Sequence, residues 1–113
     1  MHEVSLCEGV LQVIEKAAGE QKFSKVKTVW LEIGALSGVE LAAMRFSFDA
    51  VMRDTLAEGA ALVIIEVPAD AWCMICSKSV SITQRYDSCP ECGEFQLRVS
   101  GGEEMRVKEL EVV

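Results

Sequence analysis

Two cysteine pairs constrain this chain more than any other feature: Cys73-Met-Ile-Cys76, twelve intervening residues, then Cys89-Pro-Glu-Cys92-Gly93. Each pair can place two sulfurs on one ion, and the segment between them is long enough to fold back and close a tetrahedral four-thiolate shell. The interval is a little shorter than the about 15 to 20 residues of the common form, but of the same type. Pro90 fixes φ within the second pair, and Gly93 supplies a positive φ that turns backbone N–H groups toward the sulfurs. Such N–H···S contacts hold a thiolate site together. Four thiolates leave no open coordination position, so Cys73, Cys76, Cys89 and Cys92 are expected to hold a structural Zn(II) and not a catalytic one.

Two other uses of these cysteines are open to test. Trp72-Cys73-x-x-Cys76 could be a thiol redox pair, but that chemistry needs a single pair opening a helix within a βαβ pattern, and here a second pair follows instead. Disulfides would need an oxidising compartment. The first twenty residues carry Glu3, Glu8, Glu15 and Lys16 in place of a basic start and an apolar stretch, so no export signal is read there. The longest apolar run, Ala60 to Ile65, is too short to span a bilayer. A cytoplasmic chain with reduced thiols is the expectation.

With 113 residues there is room for one modest core and a metal-stapled module. Eighteen acidic against eleven basic residues give a net charge of −7, which disfavours nucleic acid and anionic membrane as partners. Residues 4 to 18 set Cys7, Val10, Leu11, Ile14, Ala17 and Ala18 at helical spacing, with Leu6 and Val13 widening the stripe, and the helix is expected to stop near Gly19. From Lys25 to Ile33 the period becomes two, giving a half-exposed strand with Val29, Leu31 and Ile33 on one face. Ser37-Gly-Val-Glu40 reads as a capping box ahead of a second helix bearing Leu41, Met44, Phe48, Val51 and Met52, broken by Gly59. Leu62 to Val67 is nearly continuous in apolar residues, as for a strand central in the sheet.

Pro68 should end that strand and send the chain into the zinc module, with short hairpin strands around Val80, Ile82, Leu97 and Val99. Ser100-Gly-Gly102 reads as the return hinge. Met105 to Val113 is a final strand whose apolar parity changes, which predicts a bulge near Lys108 and Glu109 or an exposed first half. The fold class is therefore α/β: a small mixed three-stranded sheet with two helices, residues 1–68 and 100–113, plus an inserted zinc ribbon, residues 69–99.

Catalytic signatures are lacking. One histidine excludes a multi-imidazole hydrolase centre, and neither a nucleophile elbow, a phosphate loop nor a dinucleotide fingerprint is present, so the chain is not expected to be an enzyme. The one histidine, His2, adjoins Met1. The α-amino group, the next amide nitrogen and the imidazole can close small chelate rings on one ion, a donor set suited to nickel(II) or copper(II). A solvated tail residue is the ordinary alternative for a histidine so placed.

Met1-His2-Glu3, Leu6-Cys7, Trp30-Leu-Glu-Ile-Gly34, Val39-Glu40, Phe46-Ser-Phe48 and the two cysteine pairs together resemble the HypA/HybF family of hydrogenase-maturation nickel chaperones, from Met1 to the final strand. The resemblance implies Ni(II) held at the N-terminus by His2 with the Met1 amine and nearby backbone amides. Glu3 would lie beside that site, Glu40 near it, and structural zinc on the four cysteines. It further implies a HypB-type GTPase and the large-subunit precursor of a nickel-iron hydrogenase as partners. Where several relatives carry a cysteine beside the Val39-Glu40 pair, this chain has Gly38. A zinc-ribbon adaptor that contacts proteins without transferring nickel is the alternative function.

Overall fold

The computed structural model describes residues 2–113. The chain runs α1 (His2–Gln21), β1 (Val26–Gly34), α2 (Leu41–Met52), β2 (Ala61–Val67), β3 (Ala69–Cys73), β4 (Lys78–Ile82), β5 (Leu97–Gly101) and β6 (Met105–Val112). Two three-stranded sheets result, ordered β2-β1-β6 and β4-β3-β5. The α/β class with an inserted small β-module is thus observed: β3 to β5 lie in the chain between β2 and β6. By its internal contacts the chain divides into a unit of residues 1–31, 39–64 and 107–113 and a unit of residues 32–38 and 65–106.

In the first unit α1 buries Cys7, Val10 and Ile14, and α2 buries Met44, Phe48 and Met52. These residues recur at three- and four-residue intervals, so each helix turns one apolar stripe inward and the two stripes meet. The stripe of α1 is narrower than its sequence suggests, because Val13 is about half exposed. Gly19 does not end the helix, which continues to Gln21 and closes with Lys22 in the left-handed region, its N–H donating to the Ala18 carbonyl at 2.9 Å. The helix also starts earlier than expected and takes in His2 and Glu3.

Helix α2 corrects two further expectations. Its N-cap is Glu40 and not Ser37: the Glu40 carboxylate accepts the Ala43 N–H. Its end is at Met52, well before Gly59, because Asp54 adopts φ 63° and the Thr55 hydroxyl donates to the Met52 carbonyl at 2.6 Å. A polar side chain satisfying a terminal carbonyl stops a helix as well as a glycine does.

Among the strands, β1 is central and β2 lies at an edge, the reverse of the sequence expectation. A continuous apolar run marks burial on both faces only when both faces are covered, and β2 keeps alternate residues accessible, including Val63. The alternating strand β1 has neighbours on both sides and buries Thr28 beside Val26, Val29, Leu31 and Ile33. Thr28 is satisfied there, its hydroxyl donating to the Glu111 carboxylate at 2.7 Å. Strand β6 continues through its change of parity, with Lys108 and Glu109 both exposed.

In the second unit β3 pairs antiparallel with β4 (Ala71 opposite Val80) and with β5 (Ala71 opposite Val99), with an irregularity between Asp70 and Ala71. Ala69, Ala71, Cys73, Val80, Ile82 and Cys89 form its small core. The segment read as a hinge is a packed joint. Leu36 N–H donates to the Gly102 carbonyl and Gly34 N–H to the Glu104 carbonyl, each at 2.8 Å. Gly102 sits at φ 88°, and a Cβ there would lie 2.5 Å from the Ala69 Cα.

Candidate metal centres

The two cysteine pairs fold as near copies of each other. Ser77 N–H donates to the Cys73 carbonyl at 2.8 Å and Gly93 N–H to the Cys89 carbonyl at 2.9 Å. Both donors follow directly on the second cysteine of their pair, and both have positive φ, 53° at Ser77 and 75° at Gly93. Gly93 takes that conformation without cost, as its sequence position suggested. Ser77 is the part that went unread, although it stands at the same offset from Cys73 as Gly93 does from Cys89.

Each turn then aims amide hydrogens at sulfur. Cys76 N–H donates to the Cys73 sulfur at 3.3 Å and Glu91 N–H to the Cys89 sulfur at 3.4 Å. All four sulfurs lie within 4.8 Å of one another, Cys73 to Cys92 at 3.6 Å and Cys76 to Cys89 at 3.9 Å. A tetrahedral shell with zinc–sulfur bonds of about 2.3 Å separates its sulfurs by about 3.8 Å, close to both of these separations, so the four donors could close on such an ion. Each sulfur has a near neighbour in the opposite turn, which a Cys-x-x-Cys redox pair does not require, and all five cysteines are free.

Charge explains why a cation belongs here. The Cys92 amide, with help from the Glu91 amide, pulls the Cys89 thiol down to about 7. Hydrogen bonding to Cys92, reinforced by burial, pushes the Cys76 thiol up to about 12. One thiolate forms readily, and further ones repel it until a divalent ion balances them. Lys78 stands beside the cluster and bonds Glu91 of the other turn at 2.6 Å, a link between two half-exposed side chains.

The expected nickel residues lie in the first unit. His2 is exposed in the opening turn of α1, and Met1, the expected amine donor, lies outside the described residues. The opening N–H groups of a helix have no intrahelical acceptor, so amide donors at residues 2 and 3 would cost no helical hydrogen bond. Glu3 and Glu40, widely separated in sequence, do come together: the Glu40 N–H donates to the Glu3 carboxylate at 3.3 Å. Sequence reasoning placed both near one site but did not find this bond.

Comparison with known proteins adds the decisive observation. Residues 1–112 match the family described as "Hydrogenase/urease nickel incorporation, metallochaperone, hypA". The chain belongs to the HypA family. It is similar to Hydrogenase maturation factor HypA of Rhodopseudomonas palustris (strain BisA53), 61% identical over 99% of both chains. It is likewise similar to that of Bradyrhizobium sp. (strain ORS 278), 62% identical over 99% of both. The fold matches the solution structure of the Ni metallochaperone HypA from Helicobacter pylori, with TM-score 0.71 at 23% identity over 98% of this chain and 97% of that one. HypA proteins are nickel-incorporation metallochaperones, maturation factors by description and not known catalysts. No helix among the described residues is long and apolar enough to cross a membrane.

Proposed function

We propose that this HypA-family chain carries Ni(II) at its N-terminus and delivers it during nickel-iron hydrogenase maturation. The observation that carries the reading is the match to the nickel-incorporation family along residues 1–112, which includes His2, Glu3, Glu40 and all four paired cysteines. The ligand set is the Met1 amine, the His2 imidazole and the backbone nitrogens of His2 and Glu3, with the Glu40 carboxylate close by. Nitrogen donors of this kind favour a square-planar nickel(II) field. Exposure of His2 suits a carrier, since a receiving protein can displace the donors one at a time. Amine and amide donors must lose protons and the imidazole must be neutral, so binding strengthens as pH rises and acid releases the cargo.

In this reading the first unit, residues 1–31, 39–64 and 107–113, is the nickel domain, and the Cys73, Cys76, Cys89 and Cys92 zinc site keeps folded the second, residues 32–38 and 65–106, which contains the expected ribbon of residues 69–99. The partners are a HypB-type GTPase and the hydrogenase large-subunit precursor, met in the cytoplasm. The adaptor reading draws on a separate observation: Tyr86 and Phe95 are 93% and 70% exposed. Such side chains serve protein contact, and a carrier needs contacts too.

Nickel titration of the untagged protein with a competing chelator tests the reading. One site is expected, abolished in His2→Ala and in a chain extended ahead of Met1. Equal binding by the extended chain would refute ligation by the terminal amine.

A further inference from the structure

The bond between Glu3 and Glu40 completes a helix cap shared by two helices. In a capping box one side chain accepts the N–H three positions into the helix, and the residue at that position reaches back to the N-cap N–H. Here the Glu40 carboxylate accepts the Ala43 N–H, but Ala43 has no side chain that could reach back. The Glu40 N–H is taken by Glu3 of α1 at 3.3 Å. The Glu40 carbonyl in turn accepts the Met44 N–H at 2.9 Å, and Met44 is fully buried against Cys7 of α1. Glu3 is thereby tied to a part of α2 that the core itself holds still.

We infer that the Glu3 carboxylate is a positioning group for the nickel site and not a nickel donor: it anchors the ligand-bearing backbone to the first turn of α2. The inference rests on the N-terminal nickel reading. The proposed donors, namely the amine, the His2 amide and imidazole, and the Glu3 amide, all precede the Glu3 Cα in the chain. A five-membered chelate ring through neighbouring nitrogens requires ψ near zero at the residue between them, whereas a helix sets ψ at about −42°. Among the described residues, the torsion that must adjust on loading is that of His2, also before that Cα. The Glu3 side chain branches off just after the last donor, so the anchor holds while the chelating segment turns about it. A carboxylate spent on the metal would have to leave the Glu40 N–H, and the cap of α2 would open.

The test uses the untagged full-length chain with Glu3→Gln and Glu3→Ala. Gln keeps a side-chain oxygen able to accept the Glu40 N–H, and Ala does not. Expected results are nickel affinity within about twofold of wild type for Glu3→Gln, with an unchanged nickel absorption band. Glu3→Ala should weaken binding by about fivefold, the worth of one modest hydrogen bond. Amide exchange of the metal-free chains should quicken at Glu40 in Glu3→Ala only, and nickel loading of wild type should leave the Glu40 and Ala43 amides protected. A Glu3→Gln chain that loses nickel as severely as Glu3→Ala, with a shifted band, would overturn the inference. So would release of the Glu40 amide on loading. Failure of wild type to bind nickel would instead refute the nickel reading itself, while exchange at Glu40 in the metal-free chains would still report whether the anchor exists.

Discussion

Replacing Gly34 by alanine should injure the second unit out of proportion to one methyl group. A Cβ at Gly34 would lie 2.1 Å from the Gly102 carbonyl oxygen and 2.4 Å from its carbon, and both are backbone atoms that cannot swing aside. The chain must separate locally, which endangers the Leu36 to Gly102 and Gly34 to Glu104 hydrogen bonds, both 2.8 Å. Overpacking of this kind costs about 2 kcal/mol. A stretched hydrogen bond adds about 1 kcal/mol. The sum, about 3 kcal/mol, is a large share of the 5–15 kcal/mol typical of a domain and should lower the melting temperature by about 12 °C. Urea and thermal unfolding of wild type and Gly34→Ala measure it directly. Gly9→Ala and Gly19→Ala provide the control. Nothing lies within 4 Å of a Cβ at either helical position, so the same substitution should stabilise by about 0.5 kcal/mol or more. Equal stability of Gly34→Ala and wild type would refute the argument that this joint leaves no room for a side chain.

Two further outcomes concern the sulfurs. Cys92→Ser, or removal of the ion by a chelator, should abolish tight zinc binding and unfold the β4-β3-β5 sheet, since a structural zinc contributes about 10 kcal/mol or more to such a fold; metal analysis and amide exchange in β3 would show it. Cys7, fully buried in the α1 stripe, has its thiol pushed up to about 11 by burial and, secondarily, by Glu3. A raised folded value stabilises fully below the ordinary thiol value of 9.0 and loses that contribution as pH climbs through about 11. The difference in urea stability between wild type and Cys7→Ala should therefore be constant up to about pH 9 and move against wild type above it; a difference flat to pH 11 would refute the assignment.

What the sequence revealed and what it hid divide along a physical line. The gathering of the four paired cysteines, the helical stripes through Cys7, Val10 and Ile14 and through Met44, Phe48 and Met52, and the stop at Pro68 were legible because each is set by chemistry within a few residues. The edge position of β2 was not, because apolar content describes a strand's own side chains and says nothing of how many strands pair beside it. Nor was the cap of α2. Ser37 to Glu40 satisfies the local pattern of a capping box, yet the reciprocal partner comes from Glu3 of another helix, a contact with a separation of 37 residues. Ser77 escaped notice for a different reason: a positive φ is expected of glycine, and only the repeat of one turn by the other singles out a serine in that conformation.

The two candidate metal positions are built on opposite principles, and the difference follows from what each ion would be for. Around the cysteines the ligands come from two turns that mirror each other, and amide hydrogens support the sulfurs at 3.3 and 3.4 Å. An ion there would complete the module and could leave only by dismantling it. At His2 the proposed ligands come from one short stretch of backbone at the very start of a helix, where the amides have no intrahelical acceptor and the imidazole is exposed. Such a site can open without disturbing the core, because the nearest buried residue of α1, Cys7, lies more than a turn further on. A carrier needs that independence, but it also needs the chelating segment held at a fixed place for its receiver. Glu3, bonded to the start of α2, meets the second need without restricting the first.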